Sequence, residues 1–286
     1  MYRIGIVGKG FVGSAVAHGF SESVGYKAEI RIHDKDPSKS QNSLEEVIQE
    51  SDFIFISVPT PSKSDGSISL KTLKGCLSDI SSICEKTSSS PIILLRSTII
   101  PGTSSEMQKK FPHLKIVFNP EFLTERSAYF DFLSQTRFVL GGETENVEKV
   151  ETLYKHRFGR EIAVIKTDFE SAELIKYVCN NYFATKVSFL NEMKLISDRI
   201  DANWDHVMEG FLRDGRVGHS HTQVPGPDGK RGFGGSCFPK DIQAMIKFSE
   251  SIGIEPNVLK GSWKTNLEVR PEKDWENLKG RAIEDD

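Results

Sequence analysis

Cys237 is the residue of this chain best suited to covalent chemistry. It lies in the segment GFGGSCFPKD, Gly232–Asp241, where a glycine-rich turn runs into a predicted helix. A free thiol has a pKa of about 8.5, so only a few per cent is thiolate at neutral pH. A helix N-terminus and a nearby lysine both favour the thiolate, and here Pro239 suits a first helical turn and Lys240 follows it. The segment therefore predicts a nucleophilic cysteine.

The competing interpretation of Cys237 is a buried structural cysteine, which is the more common role of a lone Cys. The surrounding glycines and the Pro-Lys-Asp sequence that follows disfavour it here. Cys179, at an interior position of a predicted helix, is better explained as part of the core, and Cys76 and Cys84 have no supporting context. We expect free thiols in a reducing cytoplasm.

We predict no metal site. The four cysteines show no CxxC spacing. His206, His219 and His221 have no carboxylate or thiol at a matching spacing, so a surface loop is the better explanation for them.

A second motif, GIVGKGFVG, follows the predicted strand Tyr2–Val7. Gly8, Gly10 and Gly13 form GxGxxG at the start of a predicted helix, and Asp34 closes the next strand, which is the context of a dinucleotide site. The glycines allow a tight turn, approach of the backbone to a pyrophosphate, and close packing of helix on strand. Asp34 would bind the adenosine ribose, favouring NAD over NADP. The alternative is that the glycines serve only a turn. The predicted cofactor residues here are Gly8, Gly10, Phe11, Val12, Gly13, Asp34 and Lys39.

Two further pairs of residues have types suited to catalysis. Lys176 and Asn180 are one helical turn apart and project from one helix face, where they would stabilise an oxyanion or hold a water. Glu121 and Glu125, in NPEFLTER, follow a predicted strand, and one of them is a candidate general base. The competing interpretation for all four is a solvated surface.

Composition excludes several classes of function. The chain has 286 residues, a net charge of −3 and a pI of about 6.2, so no basic face for nucleic acid is implied. No apolar run reaches the roughly 18 residues of a membrane span. The N-terminus enters a strand directly, so we expect no secretory leader and no membrane partner.

Short apolar runs alternate with amphipathic segments through the first ~165 residues, which predicts a doubly wound, Rossmann-type parallel α/β sheet. The predicted strands are Arg3–Val7, Glu29–His33, Phe53–Val58, Ile92–Leu95, Ile116–Phe118, Phe138–Leu140 and Ile162–Ile165.

A helical central domain is predicted after the sheet. No glycine or proline interrupts Phe169–Ala202, and apolar residues recur there at helical spacing, which indicates one long helix. This helix has more apolar surface than a small domain covers alone, so we expect a homodimer. We predict a NAD-binding domain at 1–168, a helical dimerisation domain carrying the cysteine loop at 169–264, and a charged, poorly ordered tail at 265–286.

With these motifs in order, the chain resembles the UDP-glucose 6-dehydrogenase family, within the UDP-glucose/GDP-mannose dehydrogenase group. The resemblance extends from Tyr2 to about Asn266. It rests on GIVGKGFVG, FISVPTP, RSTIIPGT, FNPEFLTER, ELIKYVCNNYFATKVSFLNE, DGRVG and GFGGSCFPKD. Family members normally continue into a C-terminal UDP-binding domain, which we expect this chain to lack. Arg126 stands where the family usually has glycine.

The resemblance implies a four-electron oxidation of UDP-glucose to UDP-glucuronate with NAD. Cys237 would attack the C6 aldehyde to give a thiohemiacetal, and the second oxidation would give a thioester that water hydrolyses. Lys176 resembles the lysine that stabilises oxyanions, Asn180 is its partner, and Asp241 resembles the carboxylate that positions Lys176 and water. Glu121 resembles the acid–base residue of thioester hydrolysis.

The resemblance also implies contacts beyond the reacting groups. Thr98 resembles the threonine that orders an active-site water, and Thr60 and Glu125 resemble cofactor contacts. Arg216 resembles an arginine that reaches a neighbouring subunit's substrate. The implied substrate-binding residues are Phe122, Leu123, Lys176, Asn180, Arg216, Phe233 and Gly234.

Three alternatives stay open. The same chemistry would serve another sugar nucleotide, such as UDP-N-acetylmannosamine or GDP-mannose. A truncated, non-catalytic binding module is possible, although it has no need for Cys237 together with Lys176. A one-step β-hydroxyacid dehydrogenase shares the predicted architecture but has no need for a nucleophilic cysteine.

Overall fold

The structure is a computed structural model that describes residues 1–284; Asp285 and Asp286, the end of the predicted tail, lie outside it. The chain divides into two compact units. The first contains Met1–Thr60 and Leu70–Lys176, and the second contains Pro61–Ser69 and the chain from Tyr177 onwards. The division thus falls inside the long helix, and a loop of the predicted NAD-binding domain packs with the second unit.

The first unit is built on a mostly parallel sheet, as predicted. Within residues 1–284 its seven strands have the order β2-β1-β3-β4-β5-β6-β7. They are β1 Arg3–Val7, β2 Glu29–His33, β3 Phe53–Ile56, β4 Ile92–Leu95, β5 Lys115–Phe118, β6 Arg137–Gly142 and β7 Ala163–Thr167. One pair differs from the prediction, because β6 runs antiparallel to β5. A parallel pair needs a crossover helix on the sheet face, whereas the helix in this connection, Ala128–Leu133, is short and packs against the helix Phe11–Gly19.

Helices cover both faces of this sheet, since its central strands are apolar throughout. Phe53 and Phe55 of β3 enter one buried cluster and Ile54 and Ile56 enter the other, so alternate side chains serve opposite faces. The helices of the first unit are α1 Phe11–Gly19, α2 Leu44–Gln49, α3 Lys71–Thr87, α4 Thr103–Lys110, α5 Ala128–Leu133 and α6 Thr144–Phe158.

The second unit is helical. Helix α7, Phe169–Arg199, begins in the first unit and continues into the second, which confirms the predicted long helix. It is followed by α8 Trp204–Leu212, α9 Phe238–Ser251 and α10 Asn257–Val269. Among residues 1–284 no helix is both long and apolar enough to span a membrane.

The prediction of a poorly ordered tail is wrong for the described residues. Trp275 is only 3% exposed and contacts Trp263 with ring centroids 5.3 Å apart. Further along, Ser62 N donates to Ala282 O at 2.9 Å, and Glu284 N donates to Ser62 O at 2.8 Å. Charge-rich composition misled the prediction, because one tryptophan and a few backbone hydrogen bonds anchor the segment.

Candidate functional site

The glycine loop after β1 has the geometry of a phosphate cradle. Gly8 has φ +93°, and a Cβ there would lie 2.6 Å from Ser57 O. A Cβ on Gly13 would lie 2.0 Å from Gly8 O, so helix and loop pack too closely for any side chain. At Gly10, the N-cap of α1, a Cβ would meet nothing within 4 Å, which leaves open space beside the helix start. The residues present therefore fit a bound pyrophosphate.

Asp34, directly after β2, faces this loop. Its Oδ2 accepts a hydrogen bond from Lys9 N at 2.6 Å and its Oδ1 accepts one from Asp36 N at 2.8 Å. Because β1 and β2 are neighbours, the carboxylate lies beside the glycines, as a ribose-binding acid requires. Lys39 is half exposed and pairs with Asp36 at 3.4 Å, so its charge is partly neutralised.

A cavity of about 450 Å³ adjoins the start of α1. It brings together two predicted cofactor residues, Phe11 and Glu125, and Arg126 also lines it. Phe11 and Val12, the next residue of α1, both pack against the core, and of the two Phe11 lines the cavity. The remaining lining residues are Ser14, Ser127, Ala128, Tyr129 and Phe130.

Thr60 and Thr98 lie in the loops that follow the neighbouring strands β3 and β4, and they contact each other. Thr60 Oγ1 donates a hydrogen bond to Thr98 O at 2.8 Å, and Thr60 is buried. The structure thus uses the backbone of Thr98 as an anchor for the loop that follows β3.

Glu121 and Lys176 form a buried ion pair in the first unit. Lys176 Nζ donates to Glu121 Oε1 at 2.8 Å and to Glu121 O at 2.6 Å, and the residues are 3% and 6% exposed. Glu121 Oε2 accepts from Leu123 N at 2.7 Å. Burial opposes ionisation of Glu121, but the Lys176 ammonium and these hydrogen bonds outweigh it and hold the pKa of the carboxyl below its usual value.

Two neighbours reinforce this pair. The ring of Phe122 has the Arg137 guanidinium 4.3 Å and the Lys176 ammonium 5.4 Å from its centroid, within cation–π range. Arg96, which the sequence reasoning missed, is 1% exposed, donates to Asn119 Oδ1 at 2.7 Å and adds positive charge near Glu121.

Asn180, Lys240 and Asp241 meet in the second unit. Asp241, 1% exposed, accepts from Asn180 Nδ2 and from Lys240 Nζ, each at 2.5 Å. The sequence predicts that Lys240 favours the thiolate of Cys237, and in the structure the Lys240 ammonium forms an ion pair with Asp241. A one-dimensional motif does not show which neighbour a long side chain reaches.

Cys237 is the N-cap of α9, as expected, and it is half-buried. Its carbonyl oxygen accepts from Asp241 N at 2.9 Å, which is the first hydrogen bond of the helix, and Ser236 Oγ lies 3.8 Å from its Sγ. Cys237 is therefore the residue at which α9 begins, and the start of a helix favours negative charge nearby.

The predicted substrate residues of the second unit have contrasting environments. Phe233 is 4% exposed and its ring joins a buried cluster with Ala184 and Ile242. Arg216 is exposed and pairs with Asp214 at 2.6 Å. Four residues that bind the turn around Phe233 were not predicted from the sequence, because nothing in the local pattern marks them. They are Asn191, Asn266, Arg270 and Asp274.

The sequence and the fold both match known proteins. Residues 31–158 match the NAD binding domain of the UDP-glucose/GDP-mannose dehydrogenase family, and residues 170–268 match its central domain. A UDP-glucose 6-dehydrogenase of Rickettsia felis is 34% identical over 233 residues, which are 80% of this chain and 50% of that protein. The chain thus spans about half the length of the curated relatives it matches.

Two solved structures are similar. A UDP-glucose dehydrogenase from the hyperthermophilic archaeon Pyrobaculum islandicum has a TM-score of 0.83 and 28% identity, covering 97% of this chain and 70% of that one. A GDP-mannose dehydrogenase from Pseudomonas aeruginosa has a TM-score of 0.67 and 25% identity, covering 96% and 70%.

Proposed function

The chain belongs to the UDP-glucose/GDP-mannose dehydrogenase family, which uses NAD, and from this premise we propose that it oxidises the C6 alcohol of UDP-glucose to the carboxylate. The observation that carries the proposal is Cys237 at the start of α9, one helical turn before the buried Asp241. A one-step alcohol dehydrogenase has no use for a nucleophile in that position.

The first unit would hold the cofactor. The open space at Gly10 would admit the pyrophosphate, and Asp34, beside the glycine loop, would accept hydrogen bonds from the ribose hydroxyls and repel a 2′-phosphate. Bound NAD would supply the hydride acceptor for each of the two oxidations. Phe11, Glu125 and Thr60 are proposed as further contacts.

Cys237 would carry the sugar carbon between the two oxidations. Its thiolate adds to the C6 aldehyde, a C–S bond forms, and the carbonyl oxygen takes a proton to give the thiohemiacetal. Loss of a hydride and a proton from that adduct leaves a thioester. Water adds to the thioester carbon, the C–S bond breaks, and the thiolate returns with release of the acid.

The two carboxylate clusters would handle protons and negative charge. The buried Lys176 ammonium would stabilise oxyanions formed at C6, and Glu121, ionised beside it, would take a proton from the attacking water. Asp241, held by Asn180 and Lys240, would orient a water. Thr98 is proposed to order the same water. Phe122, Leu123, Phe233, Gly234 and Arg216 are proposed substrate contacts.

We also propose a cytoplasmic homodimer formed through α7. Four aliphatic or aromatic side chains of this helix in the second unit are 49–62% exposed, which is unusual for residues of this kind on one element. They are Val178, Tyr182, Phe189 and Ile196, and Ile200, directly after the helix, is 68% exposed. A second copy of the same helix is the self-complementary partner that such a stripe fits.

The test is the ratio of NADH formed to UDP-glucose consumed. Two NADH per sugar are expected from the unmodified protein, and Cys237→Ser should form the first and stop before the second. Cys76→Ala, at a cysteine outside the proposed machinery, is the matched control and should keep the ratio of two. A ratio of one from the unmodified protein would contradict the thioester route.

A second substrate class deserves the same assay, because the fold also matches the GDP-mannose dehydrogenase. NADH formation with GDP-mannose or UDP-N-acetylmannosamine, but not with UDP-glucose, would reassign the substrate. No NADH from any sugar nucleotide would favour a non-catalytic binding module.

A further inference from the structure

The turn that precedes Cys237, Gly232–Ser236, contains three glycines and so has few side chains that could stabilise its conformation. Gly232 and Gly235 adopt φ +67° and +72°, a left-handed conformation that glycine accepts readily. Glycine is also the residue with most freedom to leave its native conformation. The position of the sulfur at the start of α9 must therefore be imposed by neighbours of the turn.

Two buried asparagines hold the first half of the turn. Asn266 of α10 accepts from Phe233 N at 2.7 Å and donates to Phe233 O at 3.0 Å, so both backbone groups of that residue are fixed. Asn191 of α7 accepts from Gly232 N at 3.1 Å. A Cβ on Gly232 would lie 2.4 Å from Asn266 Oδ1, so side chain and turn are in close contact.

An arginine–aspartate pair holds the second half. Asp274 Oδ2 accepts from Gly235 N at 3.0 Å, while its Oδ1 accepts from Arg270 Nε at 2.6 Å. Arg270 has a side chain only 3% exposed and donates from Nη2 to Asp228 Oδ2 at 2.7 Å. A Cβ on Gly234 would lie 2.4 Å from both Arg270 Nη2 and Asp274 Oδ1, so the pair fills the space beside the turn.

We define the clamp as Arg270 with Asp228 and Asp274. Its aspartate Asp274 stays ionised although it is partly buried. Burial opposes ionisation of Asp274, but the hydrogen bonds from Arg270 and Gly235 outweigh it and lower the pKa of the carboxyl. Asp274 therefore presents a carboxylate to the Gly235 N–H, two residues before Cys237, and hydrogen bonds of that type are the strong ones.

We propose that Arg270 and Asp274 are positioning residues for Cys237, acting through the backbone of Gly235. The inference rests on the proposed function for its catalytic consequence. Release of the turn would slow the steps in which the sulfur bonds to carbon more than the first oxidation, which does not need the sulfur and depends on the turn only through the proposed substrate contacts Phe233 and Gly234.

The experiment compares Arg270→Met with Arg231→Met, a neighbouring arginine whose side chain pairs with Asp198 at the surface. In a single turnover with NAD and UDP-glucose, R270M should form the first NADH within about twofold of the normal rate and the second at least about tenfold more slowly. R231M should leave both phases unchanged. A general loss of folded protein would lower both amplitudes together, so the split between phases identifies a positioning role.

A conservative variant and a direct probe of the turn complete the test. Arg270→Lys should recover part of the second phase, since an ammonium can still reach Asp274. Asp274→Asn, which keeps the shape of the side chain, replaces R270M if that variant does not fold. Amide hydrogen exchange of the peptide containing Gly235 should accelerate about tenfold in R270M, or in D274N where that variant replaces it. Unchanged exchange, or a second phase that keeps its rate, overturns the proposal.

Failure of the proposed function is recognised separately. If the unmodified protein forms no NADH from any sugar nucleotide, the clamp is judged by alkylation of Cys237 with iodoacetamide, followed by mass spectrometry. Release from the helix start should slow this reaction at least about threefold in R270M relative to R231M. An equal rate in the two variants overturns the positioning role.

Discussion

Glu121 and Lys176 form a buried ion pair, and removing the lysine should make the free energy of unfolding depend on pH. Lys176→Met leaves the carboxylate of Glu121 buried without its ammonium partner. Breaking a buried pair in this way typically costs about 3–5 kcal/mol. Lys176 also binds the carbonyl oxygen of Glu121, so the variant loses two hydrogen bonds as well.

The pH dependence follows from the direction of the pKa of Glu121. In the unmodified protein that pKa lies below the unfolded value of 4.5, so the pair contributes stability above pH 4.5 that is lost as the pH falls through the folded pKa. In Lys176→Met, burial is opposed only by the Leu123 N–H and the charge of Arg96, so we expect the pKa of Glu121 to rise above 4.5. The variant then loses stability as the pH rises from 4.5 through that raised value, at up to about 1.4 kcal/mol per pH unit.

The assay is urea unfolding between pH 4.5 and 8, followed by far-UV circular dichroism. The comparison that isolates Glu121 is Lys176→Met against the double variant with Glu121→Gln. The double variant should be the more stable of the two at pH 8, and the difference should shrink toward pH 4.5. Lys149→Met, which breaks an exposed pair with Glu145, should change little. A difference that does not vary with pH would refute the argument.

Four other variants test three separate features. Gly13→Ala should cost roughly 1–3 kcal/mol by denaturant unfolding, because its Cβ would lie 2.0 Å from a backbone oxygen, whereas Gly10→Ala should keep stability and weaken NAD binding in calorimetry. Burial raises the pKa of Glu173 to about 7, above its unfolded 4.5, so this group costs stability as the pH rises between those values. Glu173→Gln should remove that slope from unfolding curves at pH 5 to 8. Phe189→Glu should give the monomer mass by sedimentation, and an unchanged mass would exclude α7 as the interface.

Local pattern was enough to predict the sheet and the long helix. The sequence of β3 is FIFI and that of β4 is IILL, and short runs that are apolar throughout are typical of strands buried on both faces of a sheet. The glycine spacing and Asp34 likewise have a local physical meaning. Cys237 at the start of α9 followed from glycine, proline and lysine in one short segment.

Pairings between distant residues could not be predicted in this way. Arg270 reaches Asp228 across 42 positions, and no spacing rule joins them. Lys240 lies three residues after Cys237 yet pairs with Asp241, because rotamers and neighbouring charges decide where a long side chain goes. The antiparallel direction of β6 was not predicted for a related reason. Strand direction depends on the path of the connection between strands, and hydrophobic periodicity carries no information about that path.

The loop Pro61–Ser69 is hydrogen-bonded to the segment around Glu284, which follows it by most of the length of the chain. Ser69 Oγ donates to Glu284 Oε1 at 2.6 Å, over a separation of 215 residues. During synthesis, therefore, the early loop emerges from the ribosome long before its partner exists. The first unit has all its strands by Thr167, and we expect it to fold on the nascent chain, whereas the hydrogen bonds between Pro61–Ser69 and Glu284 form only after Glu284 is translated.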